Sequence, residues 1–343
     1  MFTASSIRFF ESGLYVNSET LVRRPESLFL WSMEEFMQVF ISLGMLIIGF
    51  VLLVKGADCF VDGASSVAAR YGIPQLVIGL TIVAMGTSFP EAAVSITAAF
   101  KGSAGITIGN VVGSNILNVA IILGLASVIV PIQIKKSTIK RELPFSMVIT
   151  ILLLLFGLNG KISRFDGVLL WLAFLFYLYY VYQMSKHAQE QEEIKELSLS
   201  KSLIYIFVGL ACILFGSDLA VDGATQIARI FGMSERFIGL TIVALGTSLP
   251  ELVTSVSAAK KGNADIAIGN IVGSNIFNIL FVVGTSALII PVPFETRFII
   301  DSLMAFFVLF VLWLCVYKKR VLERKHGIFL LGIYLGYFIY LCL

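Results

Sequence analysis

The chain has 343 residues, 58% of them hydrophobic and 14% charged, with a formal net charge of +3 and a mean hydropathy of +0.93. Soluble domains run near roughly 45–50% apolar and about 25% charged, so this composition excludes an ordinary soluble domain and points to an integral membrane protein. It also excludes a nucleic-acid footprint, which needs basic residues clustered on a polar face.

In chain order, residues 1–32 come first. They are mixed polar and carry Arg8, Arg23 and Arg24. They lack the apolar core and cleavage site of a signal peptide, and read as a polar extension or an amphipathic surface segment. Met33 then opens "MEEFMQVFISLGMLIIGF" in the manner of a natural start. Apolar runs follow at about 38–58, 75–99, 105–130, 142–159 and 165–184, then 202–222, 236–259, 264–290, 297–317 and 327–343. Each approaches the ~20 residues that an α-helix needs to cross about 30 Å of hydrocarbon. The expected fold class is therefore an all-α integral membrane protein with ten transmembrane helices. Between the fifth and sixth runs, "SKHAQEQEEIKELSLSK" (185–201) reads as a short charged linker.

An internal repeat divides the chain. Residues 78–118 align with 238–278 at an offset of 160, with 28 of 41 positions identical. The preceding segments "GADCFVDGA" (56–64) and "GSDLAVDGA" (216–224) also correspond. The expected units are 33–184 and 202–343, five helices each. Five is odd, so the second unit enters the membrane inverted, an architecture of secondary transporters that places substrate at the repeat interface near the midplane. Loops on one side of this arrangement hold fifteen Lys and Arg residues against six on the other. The positive-inside rule then places both termini outside and the linker in the cytoplasm.

Two copies of one motif carry the chemistry: "GTSFPE" (86–91) and "GTSLPE" (246–251). Pro90 and Pro250 lack an N–H, and each ring clashes with the carbonyl four residues back, so the second and seventh helices break. Backbone freed in this way survives in a membrane only where it lines a cavity or is buried in protein. The spacing predicts Thr87, Ser88 and Glu91 on one helical face, copied by Thr247, Ser248 and Glu251. The next run in each unit adds Ser114 and Asn118, then Ser274 and Asn278, with Gly109, Gly113, Gly269 and Gly273 allowing close approach. The donors are carboxylate, hydroxyl, amide and carbonyl oxygens, which suit hard cations such as Ca²⁺ and Na⁺.

Glycines and kinks also serve helix packing alone, and Ser and Thr bond back to helix carbonyls. Ionisable residues in mid-membrane are functional candidates by default, and Glu91 and Glu251 recur at matched positions. Asp58 and Asp62, with Asp218 and Asp222, fall near the expected ends of the first and sixth helices. They read as solvated helix ends or as a route for ions. Lys55 reads as reaching the interface or pairing with Asp58 or Asp62.

Cys59, Cys212, Cys315 and Cys342 lie scattered through apolar runs without metal-ligand spacing, and His187 and His326 fall in expected loops. No nucleophile–base pair accompanies the motifs, so an enzyme is not expected.

The paired "GTS-x-PE" and "GN-x-VGSNI-x-N" motifs resemble the repeats of the cation/calcium exchanger superfamily, in its sodium/calcium exchanger branch. The resemblance spans Met33 to Leu343. It implies antiport of Na⁺ against Ca²⁺ by alternating access across the cell membrane, with the two ions as substrates and no cofactor. It implies Glu91 and Glu251 as calcium carboxylates, and carbonyl or hydroxyl ligands from Ala84, Thr87 and Ser88 with Ala244, Thr247 and Ser248. Ser114 and Ser274 would serve flanking sodium sites, and Asn118 and Asn278 would line the centre. The first and sixth helices would form a long sliding pair outside the core. Potassium-dependent relatives typically carry Asp where this chain has Asn278, which implies potassium independence. The calcium/proton branch typically carries a different motif, which makes protons the less favoured counter-ion. The short linker implies no calcium-sensing domain. A Ca²⁺/H⁺ exchanger and, from another class, a cation channel remain the alternatives.

Overall fold

The computed structural model describes residues 33–186, 197–233 and 244–342. The expected extension 1–32, most of the linker 185–201 and the first part of the seventh run lie outside the described residues. The first unit contains α1 (Met33–Tyr71), α2 (Gln75–Ile78), a π-helical stretch (Gly79–Val83), α3 (Ala84–Thr87), α4 (Phe89–Phe100), α5 (Gly105–Leu117), a second π stretch (Asn118–Leu123) and α6 (Gly124–Ile129). It continues with β1 (Ile132–Gln133), a third π stretch (Thr138–Glu142), α7 (Leu143–Gly157), β2 (Lys161–Ile162) and α8 (Arg164–Lys186). The second unit contains α9 (Leu199–Ile230), α10 (Ala244–Thr247), α11 (Leu249–Lys260), α12 (Ala264–Phe277), a π stretch (Asn278–Val283) and α13 (Gly284–Ile289). It ends with β3 (Val292–Pro293), α14 (Arg297–Tyr317), β4 (Val321–Leu322) and α15 (Arg324–Cys342).

Among the described residues the fold is helical apart from two short antiparallel pairs, β1 with β4 and β2 with β3. At the 160-residue offset β3 is the copy of β1, and β4 the copy of β2. Each pair therefore joins one strand from each unit. Six helical spans among the described residues are long and apolar enough to cross a membrane, and the pair Gln75–Thr87 and Phe89–Phe100, bent by 50°, makes a seventh. Of the other expected helices, α7 has 15 residues and α15 has 19.

Burial separates an inner layer from an outer one. The span Ala264–Ile289 is 94% buried over its most apolar window, and Gly105–Ile129 is 72% buried, against 17% for α1. The two buried spans cross at the centre. Asn115 Nδ2 donates to the Asn275 carbonyl (3.1 Å) and Asn275 Nδ2 returns a bond to the Asn115 carbonyl (3.3 Å). Residues related by the repeat thus exchange identical contacts.

Helices α1 and α9 form the outer layer as an antiparallel pair. Their seam is a heptad of small residues: Ser42, Gly49, Gly56 and Gly63 face Ser202, Gly209, Gly216 and Gly223. A Cβ on Gly56 would lie 2.8 Å from the Gly209 carbonyl oxygen, and one on Gly216 would lie 2.7 Å from that of Gly49, so these backbones touch. Association in lipid depends on such close packing because no water is expelled. The opposite faces carry Phe36, Phe40, Ile47, Phe207 and Phe215, all exposed, as suits contact with acyl chains.

Both helices are longer than the apolar runs predict. α1 continues to Tyr71 and α9 to Ile230. Asp58, Asp62, Asp218 and Asp222 therefore sit inside continuous helices and not at helix ends. The apolar run stops at these carboxylates, but the helix does not, since intrahelical bonding needs no apolar side chains. Lys261, and not Lys55, is the lysine paired with Asp58 and Asp62.

Candidate ion-binding site

The second helix breaks where its prolines require. α3 ends at Thr87, Ser88 sits at φ −83°, ψ 10°, and α4 restarts with Pro90 in its first turn. There the missing N–H costs nothing. Ser248 repeats this at φ −94°, ψ 3°, ahead of Pro250. The break corrects the expectation of one shared helical face. Thr87 and Ser88 lie on the near side of a bend and Glu91 on the far side, so their hydroxyls and carboxylate reach different partners.

The bends turn these groups into the centre, against α5 and α12. Glu91, Glu251, Thr87 and Asn118 are fully buried, as are Ser88, Ser274 and Asn278; Ser114 and Ser248 are nearly so, and Thr247 is half-buried. Ser88 Oγ donates to Glu251 Oε1 (2.8 Å). Ser114 Oγ donates to Glu91 Oε1 (3.2 Å) and lies 3.4 Å from Ser248 Oγ. Ser274 Oγ points at the Ala84 carbonyl (3.4 Å). Ala244 opens α10, the counterpart of the turn that Ala84 opens.

Asn118 and Asn278 sit at the start of matching π stretches. Each Nδ2 donates to an amide oxygen of the other unit, Asn118 to Asn275 Oδ1 (3.0 Å) and Asn278 to Asn115 Oδ1 (3.2 Å). The widened turns continue a line of buried polar groups across the centre.

Four acceptors in this cluster have no donor among the described residues: Glu91 Oε2, Glu251 Oε2, Asn118 Oδ1 and Asn278 Oδ1. They form two repeat-related pairs. Neither glutamate has a Lys or Arg partner among the described residues. A buried carboxylate without a countercharge costs several kcal/mol or more, and an unpaired buried acceptor costs about 1–3 kcal/mol. A cation among these oxygens would offset both costs. The donors are all oxygen, and no cluster of three His, Cys, Asp or Glu residues exists among the described residues. The arrangement therefore fits a hard cation held by few formal charges.

Sequence reasoning missed the second tier of this cluster. Asn110 Nδ2 donates to the Glu91 carbonyl (3.2 Å) and to Ser95 Oγ (2.9 Å). Asn270 Nδ2 does the same for the Glu251 carbonyl (3.3 Å) and Ser255 Oγ (2.9 Å), and Thr87 Oγ1 donates to Asn270 Oδ1 (3.0 Å). These bonds fix the first turns of α4 and α11, and hence both carboxylates. The signal was present: Ser95, Asn110 and Asn115 are polar residues in apolar runs, each identical at the 160-residue offset. The glycines were anticipated more evenly than they act. A Cβ on Gly269 would stand 3.0 Å from Gly79 and one on Gly273 would stand 2.8 Å from Leu80, while one on Gly113 would meet nothing within 4 Å among the described residues.

A sequence profile described as "Sodium/calcium exchanger protein" matches the chain twice, at residues 41–183 and 201–343. The putative antiporter CaxA of Alkalimonas amylolytica is 40% identical over 304 residues, covering 85% of this chain and 95% of that protein. The sodium/calcium exchanger MaX1 of Methanosarcina acetivorans is 31% identical over 340 residues, covering 87% and 97%. A solved structure of the sodium-calcium exchanger NCX_Mj, soaked with zero Na⁺ and Ca²⁺, superposes with a TM-score of 0.79 at 33% identity, covering 88% of this chain and 99% of that one.

Proposed function

The chain belongs to the sodium/calcium exchanger family as a multi-pass membrane protein, and from that premise we propose that it exchanges Na⁺ for Ca²⁺ across the cell membrane by alternating access. The observation that carries this reading is the set of four buried oxygens without donors among the described residues, two carboxylate and two amide, in repeat-related pairs. Ca²⁺ would take both carboxylates and neutralise them. Na⁺ ions would occupy the same oxygens in competing sets, with Glu91, Glu251, Thr87, Thr247, Ser88, Ser248, Ser114 and Ser274 and the carbonyls of Ala84 and Ala244 as ligands. Asn118 and Asn278 would line the centre between them. An empty cage carries two uncompensated charges, which disfavours movement without cargo. That penalty is what makes exchange obligatory.

The architecture proposed is ten helices in two inverted five-helix units, 33–184 and 202–343, preceded by a polar extension and joined by the cytoplasmic linker 185–201. Both termini lie outside. Two features support the inversion: the exchanged contacts of Asn115 and Asn275, and the paired strands β1–β4 and β2–β3. A Ca²⁺/H⁺ exchanger would use the same glutamates, and the name of the relative CaxA specifies an antiporter without its counter-ion.

Equilibrium binding tests the site. Purified protein should bind ⁴⁵Ca²⁺ saturably, and Na⁺ should displace it while equal K⁺ does not. Binding indifferent to Na⁺ would count against the exchange reading.

A further inference from the structure

The two units differ at the outer helices: α1 is fastened to the end of α11, and among the described residues its copy α9 is not fastened to the end of α4. Lys261 Nζ lies 2.6 Å from Asp62 Oδ1 and 3.7 Å from Asp58 Oδ1, and it donates to the Asp58 carbonyl (2.7 Å). Ser257 Oγ donates to Asp58 Oδ1 (2.7 Å) and Asn263 Nδ2 to Ser65 Oγ (2.9 Å). At the 160-residue offset the same set is Asp218, Asp222 and Thr225 on α9, with Thr97, Lys101 and Ser103 at the end of α4.

That second set keeps both acids, the base and the hydroxyls, with the Asn263 amide replaced by the Ser103 hydroxyl, and among the described residues none of it bridges α9 to α4. Asp218, Asp222, Thr97 and Lys101 are exposed. None of the three charged residues forms an ion pair among the described residues. Thr225 Oγ1, the counterpart of the satisfied Ser65 hydroxyl, is buried without a partner among the described residues. Ser257 is buried under α1, while its counterpart Thr97 is bare. Packing alone does not require a second acid–acid–base set on a free surface.

We propose that Lys261 with Asp58 and Asp62, and Lys101 with Asp218 and Asp222, are alternating latches that hold the α1/α9 pair against one unit and then the other. They are positioning residues for the exchange cycle, and the inference rests on the alternating-access reading above. The tight seam of glycines lets α1 and α9 move as one body, so closing one latch opens its copy. Partly exposed ion pairs are weak, which suits a device that must open in every cycle.

Paired cysteines test this in the full chain in proteoliposomes, with the four native cysteines replaced. The pair Asp62→Cys with Lys261→Cys and the pair Asp222→Cys with Lys101→Cys should each crosslink with a short bifunctional maleimide. Added Na⁺ or Ca²⁺ should move the two yields in opposite directions. In the second pair, adding Lys261→Met should raise the crosslinked fraction by about two- to fivefold, the scale of one partly exposed ion pair; Lys261→Arg should restore the lower yield. A position 222–101 pair that never crosslinks while ion flux persists overturns the proposal, as does a yield indifferent to Lys261→Met. If the cysteine-replaced parent shows no Na⁺-driven Ca²⁺ flux, the counter-ion reading fails. The opposed crosslinking yields still decide the latch.

Discussion

Ser88 Oγ donates to Glu251 Oε1 across the interface between the two units, but its copy Ser248 makes no such bond to Glu91. Glu91 is held instead by Ser114 of its own unit, with Ser248 3.4 Å from that serine hydroxyl. The cage is thus symmetric in composition and asymmetric in its bonding.

That asymmetry predicts unequal mutants. A hydrogen bond to a charged group contributes about 1.5–3 kcal/mol, and about 1.4 kcal/mol is tenfold in affinity. Ser88→Ala should weaken Ca²⁺ binding by roughly tenfold or more, and Ser248→Ala by less. Calcium titrations of the two variants check the order. Equal losses would show that the bound state restores the symmetry.

The unpaired carboxylates predict a trade between stability and function. Glu91→Gln or Glu251→Gln removes a buried charge that lacks a countercharge among the described residues, so the cation-free protein should melt higher than the parent. The same variants should lose Ca²⁺ transport and the rise in melting temperature that bound Ca²⁺ confers. Thermal melts with and without Ca²⁺, beside uptake assays, check both halves. Normal transport by either variant would remove these glutamates from the site.

Asn278 predicts a change of ion preference. Asn278→Asp adds a charge to the cage and removes the donor that now meets Asn115 Oδ1 at 3.2 Å. The variant should bind an additional monovalent cation and become sensitive to K⁺, whereas the parent should not respond. Uptake measured at fixed Na⁺ with K⁺ varied makes the comparison.

The glycine seam predicts a structural cost away from the ions. Gly56→Val or Gly216→Val places methyl groups where backbone atoms already lie under 3 Å from the Cβ position. Overpacking of this kind costs about 1–3 kcal/mol or more. Thermal melting should fall for both, while Gly44→Val, which meets nothing within 4 Å among the described residues, should be tolerated.

Membrane residence, helical class, the broken second helix and the burial of the motif residues were all legible in the sequence. Each follows from a local rule about apolar length, proline or repetition. The continuation of α1 past Asp58 and Asp62 was not legible, because hydropathy marks where lipid contact ends and not where a helix ends. The seam of Gly49, Gly56 and Gly63 against Gly209, Gly216 and Gly223 was hidden for a related reason. Its heptad spacing is visible in either helix, but only the antiparallel pairing gives it meaning. The bonds of Asn110 and Asn270 were missed because charged and hydroxyl groups give the stronger signal in an apolar run. The two asparagines hold backbone in place, which leaves a weaker trace than a carboxylate.

The most direct test is ⁴⁵Ca²⁺ uptake into proteoliposomes with Na⁺, K⁺ and H⁺ gradients set independently. An outward Na⁺ gradient alone should drive uptake, collapse of the pH gradient should leave it intact, and K⁺ should have no effect. Uptake that follows the pH gradient and ignores Na⁺ would contradict the account.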